Sequence, residues 1–235
     1  MLGWSMQAPG RRVEQVDAHG NVTHLLTVED PHKEIEIVVT GDVEVGNEGE
    51  LVPHEGPLSP LAYLFATPLT VADHSIGELA KEYLSGGEPL RERLYGLAAG
   101  VGQRVRYQKG ATSVEDSAAA VLARGEGVCQ DQAHVFISCC RAAGIPARYV
   151  SGYLYSRNGG DSGTAASHAW VDAWIPESKA WLSIDVTHRL PTGMHHCRLA
   201  VGRDYLDAAP VRGVRRGGGR EMMDVDVLVS KASDQ

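Results

Sequence analysis

The order of the predicted elements along this 235-residue chain favours an α+β fold. The front part has the pattern of short strands, the middle part that of helices, and the last part that of strands again. Alternating apolar residues indicate the strands, and glycines and prolines at the ends of apolar-periodic stretches indicate the helices. We therefore predict a small N-terminal β-rich region over residues 1–60 and a larger domain over residues 61–235.

The front region has strand patterns at two places. HGNVTHLLTVED contains a Gly-Asn turn that leads into a short strand, and IEIVVTGDVEV alternates apolar residues over residues 35–45. The opening MLGWSMQAPGRR gives these strands no evident edge partner, so we expect a strand before residue 13 to be missing and the region to be incomplete. Residues 51–70 contain four prolines and no period, which is typical of a linker or an ordered crossover.

Three helices are predicted before residue 125. Ser75 can cap a short first helix over residues 76–84, and Pro89 suits the first position of a second helix with a regular apolar stripe. Thr112-Ser113-x-x-Asp116 is similar to a capping box in which Asp replaces Glu. It predicts a third helix that ends at Gly125.

A cysteine stands where a glycine-rich loop leads into a fourth helix, in the stretch GEGVCQDQAH. Gly144 and Pro146 mark the end of that helix, so it spans roughly residues 129–143 and Cys129 lies in its first turn. Free backbone N–H groups and the positive end of the helix dipole favour a thiolate there, although Asp131 in the same turn opposes it. The alternative is a small buried hydrophobic residue, which is what most free cysteines are.

The last part of the chain returns to strand patterns, separated by a Gly/Ser/Asn-rich loop over residues 156–167. The predicted strands are RYVSGYLY (148–155), HAWVDAWI (168–175), AWLSIDV (180–186) and MDVDVLV (223–229). A hairpin-sized link joins the second strand to the third, so these two should pair antiparallel. If both apolar rows share one face, Asp185 lies either opposite His168 or diagonal to it, within reach of its imidazole. Asp172 is the rival, but it lies roughly 13 Å from His168 along the same strand, at about 3.3 Å per residue.

Cys129, His168 and Asp185 supply the parts of a thiol nucleophile with a base and a group that orients the base. We predict that the Cys129 thiolate attacks an amide carbonyl and that His168 protonates the departing amine. The thioester then passes to water or to another amine, with His168 acting as the base. The backbone N–H of Cys129 is one predicted oxyanion donor, and the second donor is unassigned.

Four motifs resemble those of the bacterial transglutaminase-like proteins, which are often described as cysteine proteases. They are G-x-G-V-C-Q-D-x-A-H, G-I-P-A-R-Y-V-S-G-Y, S-H-A-W-V and a strand that ends in Asp-x-Thr. The resemblance is strong over residues 112–187 and looser over residues 200–219, and the front part resembles the β-rich N-terminal domain of that family. It implies a transglutaminase-like (papain-like) core, in which an antiparallel sheet packs on the nucleophile-bearing helix.

By residue-by-residue match, the resemblance also places Cys129, His168 and Asp185 on the family's catalytic triad. There are two departures. Gln132 stands where the family usually has an aromatic residue, and Asp185-Val-Thr-His188 stands where it often has Asp-Pro-Thr-Asn. Neither removes a catalytic atom, but both bear on the shape of the pocket.

Composition excludes several classes of function. The net charge of −8 and the pI near 5.7 give no electrostatic footprint for nucleic acid or an anionic membrane. The chain has no apolar run of 18 residues and no signal-peptide pattern at its start, and its four cysteines form no disulfide framework. We therefore expect a cytoplasmic protein that needs no cofactor or metal and acts on a peptide or amide substrate. Its oligomeric state is left open.

Other residues have both a functional and a structural interpretation. A metal site and solvated loop residues are the alternatives for His188, His195, His196 and Cys197. Walls of a substrate groove and core packing are the alternatives for Trp170, Trp174 and Trp181. Binding of a carboxylate and a solvated loop are the alternatives for Arg212, Arg215, Arg216 and Arg220. We predict a packing or local hydrogen-bonding role for His134 and structural roles for Cys139 and Cys140.

These observations favour cysteine-dependent hydrolysis of amide or peptide bonds through a thioester. The first alternative is transglutaminase-type acyl transfer from glutamine to an amine. The second is a peptide-binding module that keeps the fold without turnover.

Overall fold

The computed structural model describes residues 3–45, 51–156, 164–217 and 222–229. The helices are α1 (His74–Leu84), α2 (Leu90–Arg104), α3 (Ala118–Arg124), α4 (Cys129–Ala142) and α5 (Tyr205–Ala208), with a 3-10 turn over Pro60–Leu64. The first seven strands are β1 (Gly3–Gln7), β2 (Arg11–Val16), β3 (Val22–Thr27), β4 (Val38–Asp42), β5 (Leu51–Pro53), β6 (Arg106–Tyr107) and β7 (Glu126–Gly127). The other five are β8 (Ala147–Ser156), β9 (Thr164–Ile175), β10 (Ala180–Asp185), β11 (Leu190–Pro191) and β12 (His196–Gly202).

Helix α4 is the centre of the structure. All of its residues from 131 to 141 are buried, because β8 and β9 cover one side of it and α1, α2 and α3 pack on the others. It begins at Cys129, as predicted, and Gly144 follows its end with a φ of 74°. That left-handed conformation is the reason for a glycine at this position. A cysteine is thus fixed at the first residue of a fully enclosed helix.

An antiparallel sheet of six strands packs on α4. Its order is β11-β10-β9-β8-β12, and β5 lies beside β10 at the same edge as β11. Trp181 pairs with Trp174, which is the second of the two predicted registers and makes Asp185 the diagonal neighbour of His168. The mixed helix and sheet composition confirms the predicted α+β class, and the sheet packs on the helix that begins at Cys129.

Two of the early helices begin at different residues from those predicted. Asp73, and not Ser75, caps α1 by accepting from the backbone N–H of Ile76 at 2.9 Å. Helix α3 begins at Ala118 with Ser117 as its cap, so the predicted capping box over residues 112–116 is wrong. The Asp116 carboxylate instead accepts from the backbone N–H of Ser113 and from Arg124.

The front of the chain forms two separate two-stranded sheets. Strand β2 pairs with β3, and β1 pairs with β4. Residues 3–7, which showed no strand pattern, thus supply an edge partner for β4, whereas the expectation that the region is incomplete stays a prediction. Trp4 in β1 pairs with Gly41, where an added Cβ would lie 2.3 Å from the indole, so the contact depends on a residue distant in the sequence.

The proline-rich stretch after residue 50 is an ordered crossover. Strand β5 joins the main sheet, and Tyr63 in the 3-10 turn is 1% exposed. Asn21, from the turn between β2 and β3, also contacts the sheet, since its amide exchanges two 2.8 Å hydrogen bonds with the backbone of Val201. The division of the chain at residue 60 stays a prediction.

The predicted strand over residues 223–229 is absent from the described residues, which run along that stretch without a ladder. Its apolar side chains are largely exposed, so the alternation there has no surface to pack against. Part of the predicted loop over residues 156–167 belongs to β9 instead, and residues 157–163 lie outside the described part.

Asp172 is the buried charge that holds β8, β9 and β12 together. Its carboxylate is fully buried and accepts from Arg148 at 2.8 Å and from Arg198 at 2.6 and 2.9 Å. Burial alone would raise the pKa of Asp172, but the charges of Arg198 and Arg148 hold it at about 2. The sequence-based rejection of Asp172 as the partner of His168 agrees with this arrangement.

We expect Asp172→Asn to lower the free energy of unfolding by about 3–5 kcal/mol, because it leaves the buried Arg148 and the partly buried Arg198 without their counter-charge. The folded pKa lies below the ordinary 3.8, so the contribution is present above pH 3.8 and is lost as the pH falls towards about 2. Urea unfolding at several pH values measures it. Asp116→Asn is the control, since its ion pair with Arg124 lies at the surface and should matter far less. Equal losses in the two variants would contradict the prediction.

Candidate active site

The Cys129 side chain is half-buried at the first residue of α4. Residues at this position have backbone N–H groups without a partner inside the helix, which favours negative charge next to them. The nearby Asp131 carboxylate is already engaged, because it accepts from Val128 N–H at 2.7 Å and from Thr112 Oγ1 at 2.6 Å. Burial raises the pKa of Asp131, and the hydrogen bonds from Thr112 and Val128 act against that rise.

His168 lies between Cys129 and Asp185. Its Nε2 is 2.7 Å from Asp185 Oδ2, and Cys129 is near enough to contribute to raising the pKa of its ring. Because Nε2 faces the carboxylate, Nδ1 is the ring nitrogen left for sulfur. The structure thus brings together the three residues that the sequence selected, in the order thiol, imidazole, carboxylate.

The charges of these groups support one another. Burial lowers the pKa of His168, but hydrogen bonds with Asp185 and Cys129 outweigh burial and raise it to about 9. Burial raises the pKa of Asp185, yet the hydrogen bonds from His168 and His196 hold it well below its ordinary value. His168 therefore carries a proton and Asp185 a negative charge across the neutral pH range.

Two further imidazoles contact the same carboxylate oxygen. His188 Nδ1 lies 2.8 Å and His196 Nε2 3.0 Å from Asp185 Oδ2, and the backbone N–H of His188 donates to Oδ1 at 3.0 Å. The interpretation of His196 as a solvated loop residue is wrong, since its side chain is 7% exposed. His195 stacks on Tyr155 and does not join this group.

His168, Asp185 and His196 are also the residues that could hold a metal ion, since their ligand atoms lie within 4.8 Å of one another. The hydrogen bonds of His196 favour another use. Gly193 N–H donates to His196 Nδ1 at 3.2 Å, which leaves the ring hydrogen on Nε2, facing Asp185. A ring in that tautomer donates a hydrogen bond and does not offer Nε2 to a metal.

Gln132 and Thr187 connect the start of α4 to the segment after β10. Thr187 Oγ1 donates to Gln132 Oε1 at 2.7 Å, and Gln132 Nε2 donates to the Val105 carbonyl at 2.8 Å. A glutamine thus links α2, α4 and the residue two positions beyond Asp185. Gln132 is one of the two departures from the family pattern. An aromatic side chain at this position has no amide group, so it could not make this pair of amide hydrogen bonds to Thr187 and Val105.

The remaining candidates have structural positions. His134 is buried, where burial lowers its pKa to about 4, and it accepts from Tyr205 N–H at 3.1 Å. Burial raises the pKa of Cys139 to about 12 and that of Cys140 and Cys197 as well. Of the two interpretations of the tryptophans, core packing is the correct one for Trp170 and Trp181, which are 1% and 0% exposed. Arg212, Arg215 and Arg216 are exposed, and Arg220 lies outside the described residues.

Sequence reasoning did not predict the contacts of His188 and His196 with Asp185, or the contact of Thr187 with Gln132. The signal for His196 was present, because it begins HCRLAVG, a largely apolar stretch of strand length. The β-bulge between Arg198 and Ala200 interrupts its alternation, which hides the strand.

The comparisons with known proteins concern the family of the chain. The family model described as "Transglutaminase-like superfamily" matches residues 77–186, which contain Cys129, His168 and Asp185. An uncharacterized protein of Mycobacterium leprae is 30% identical over 240 residues, covering 94% of this chain and 82% of its own. A protein-glutamine gamma-glutamyltransferase of Pseudomonas aeruginosa is 37% identical over 106 residues, which is 39% of this chain and 15% of that protein.

A solved structure has a similar fold over most of the chain. The crystal structure of a "Putative Cysteine Protease from Cytophaga hutchinsonii" superposes with a TM-score of 0.63. The sequences are 24% identical, and the match covers 88% of this chain and 72% of the other. Among the described residues, no helix has the length and apolar character to cross a membrane. The sheet, the central helix and the matched residues together show that the chain belongs to the transglutaminase-like superfamily.

Proposed function

We propose that the protein hydrolyses amide or peptide bonds through a thioester on Cys129. The observation that supports this proposal is the grouping of Cys129, at the start of α4, with a His168 ring that is hydrogen-bonded to Asp185 and whose pKa Cys129 helps to raise. The proposed catalytic domain is residues 61–235. The cytoplasmic location stays a prediction.

The reaction begins from a thiolate and an imidazolium. Cys129 Sγ forms a bond to the carbonyl carbon of the substrate, and the Cys129 backbone N–H donates to the oxygen that becomes negative. His168 gives its proton to the nitrogen of the scissile bond, which leaves as an amine. Neutral His168 then takes a proton from water, hydroxide attacks the thioester, and the acid departs with the thiolate restored. Asp185 keeps the ring oriented and stabilises its charged form.

A second candidate is acyl transfer, in which an amine replaces water in the last step. The glutamyltransferase of Pseudomonas aeruginosa, whose similarity covers 39% of this chain, favours this alternative. The first step is the same in both reactions, since each forms a thioester on Cys129 and releases an amine. The two candidates therefore differ only in what reaches the thioester.

Casein incubated with the protein, with and without dansylcadaverine, distinguishes the two reactions. New peptide termini seen by mass spectrometry would support hydrolysis of peptide bonds, and conversion of glutamine to glutamate would support hydrolysis of side-chain amides. Dansyl groups joined to glutamine would support acyl transfer. Each product should be absent from a Cys129→Ala sample, because each requires the thioester.

We expect iodoacetamide to label Cys129 selectively at pH values well below 8. His168 keeps its proton up to about pH 9, so an imidazolium faces the sulfur over this whole range and stabilises the reactive thiolate. Alkylation rates from pH 5 to 10, with peptide mapping of the modified cysteine, test this. The half-buried Cys197 is the internal control, because burial raises its pKa. Labelling of Cys129 no faster than Cys197 would favour a peptide-binding module without turnover.

A further inference from the structure

The Asp185 carboxylate has a second buried imidazole partner besides His168. Asp185 is 0% exposed, and a buried carboxylate is stable as an anion only when donors surround it. Donors from β9, β12 and the residue three positions later in the chain converge on it, at 2.7 to 3.0 Å from Oδ2. Of the two extra imidazoles, His196 is nearly enclosed, whereas the side chain of His188 is 48% exposed.

The His196 ring is held at both nitrogens. Gly193 N–H donates to Nδ1 at 3.2 Å, and His196 N–H donates back to the Gly193 carbonyl at 2.8 Å. The ring also packs edge-on against Trp170, with centroids 5.3 Å apart. Because Nδ1 accepts, Nε2 bears the hydrogen and donates it to Asp185. The tight turn at residues 193–196 thus selects the tautomer that serves the carboxylate.

We propose that His196 is a positioning residue, whose Nε2–H holds the Asp185 carboxylate in the orientation that aims His168 at Cys129. This inference rests on the proposed function and deepens it. The backbone N–H of His188 holds Oδ1, and the exposed His188 ring is a weak constraint on Oδ2, so His168 would otherwise share Oδ2 with no other enclosed donor. A second donor on another strand fixes the plane of the carboxylate and thereby the direction in which the imidazole points.

The arrangement also explains why β12 belongs to the site although Cys129, His168 and Asp185 lie on other elements. Strand β12 is at the far end of the sheet from β10 and pairs with β8. His196 is the first residue of β12, where its ring contacts Trp170 on β9 and Asp185 at the end of β10. The titratable groups that face its ring are Asp185 on β10 and His168 on β9.

Three variants test the role of His196. His196→Phe keeps the volume of a ring but removes the donor, and His196→Gln retains an N–H close to the position of Nε2. His195→Phe is the control, because His195 is adjacent in sequence but stacks on Tyr155 away from Asp185. The rate of iodoacetamide reaction at Cys129 is the readout, with thermal unfolding measured alongside it.

We expect His196→Phe to slow alkylation of Cys129 by about 10²-fold, which is the effect of misplacing a catalytic group by about 1 Å. His196→Gln should recover most of the rate, and His195→Phe should match the wild type. Equal rates for His196→Phe and the wild type would overturn the proposal, as would a His196→Gln variant as slow as His196→Phe.

Nitrogen-15 NMR of the wild-type histidines gives a second measurement that needs no variant to fold. We expect the neutral His196 ring to have its hydrogen on Nε2; a neutral ring with its hydrogen on Nδ1 would overturn the proposal. This result is separate from the proposed function. Wild-type Cys129 that reacts no faster than Cys197 would refute the proposed function, whereas a reactive Cys129 unaffected by His196→Phe refutes only the role of His196.

Discussion

Replacing Cys129 with alanine is expected to abolish cleavage of casein, with a loss of at least about 10⁴-fold in rate and little change in melting temperature. Removal of the nucleophile from an enzyme of this kind leaves only the contributions of substrate binding and the oxyanion donors. The Cys129 side chain is half-buried at the first residue of α4, so an alanine there leaves no large cavity in the core. Peptide release measured by mass spectrometry, with calorimetry on the same sample, tests both parts.

Cys197→Ala is the matched control for this variant. Cys197 is also half-buried, but it lies on β12 and burial raises its pKa. We expect the Cys197→Ala variant to keep its activity. An active Cys129→Ala protein would contradict the assignment of the nucleophile.

An Asp185→Asn variant should lose about 10⁴-fold in kcat, since an amide cannot hold the imidazole in the tautomer and orientation that the reaction needs. The asparagine NH₂ is a donor, and it would replace an oxygen that now accepts from the N–H groups around Asp185. The charge of Asp185 also raises the pKa of His168, so its removal lowers that pKa from about 9. We therefore expect the alkaline limb of the pH–rate profile to move to lower pH.

Asp172→Asn separates this effect from a general effect of losing a buried carboxylate. Both aspartates are fully buried in the same sheet, but Asp172 binds two guanidinium groups and not His168. Asp172→Asn should lose stability yet retain its rate per folded molecule, whereas Asp185→Asn should lose its rate even where it is folded. An Asp185→Asn variant with normal kcat would show that another group orients His168.

The parts of the fold that sequence reasoning predicted are those with strong local signals. Gly144 and Pro146 define the end of α4, and alternation in β9 and β10 limits their register to two possibilities, one of which the structure has. Either of the two registers places Asp185 within reach of His168, which was sufficient to select Asp185 over Asp172 as the partner of that imidazole. The site could be predicted because its three residues lie on elements whose periodicity and pairing are local properties of the sequence.

The errors come from contacts between distant parts of the chain. Strand β1 depends on the fit of Trp4 against Gly41, which is 37 positions away, and no local pattern indicates the strand. His196 was misjudged because its burial depends on Trp170 and Asp185, on two other strands. The start of α3 was misplaced because Ser117 competes with Ser113 as a cap, and both are ordinary capping residues.

The pairing of β5 with β10 has a consequence for any shortened form of the protein. Residues 51–53 cover the edge of β10 at residues 180–182, the half of that strand remote from Asp185. A chain that starts at residue 61 would leave the backbone N–H and C=O groups of residues 180–182 without these hydrogen-bond partners. An unpaired edge strand is a template for aggregation. Such a form would contain Cys129, His168 and Asp185 and yet precipitate, so preparations for assay should retain the residues from 51 onward.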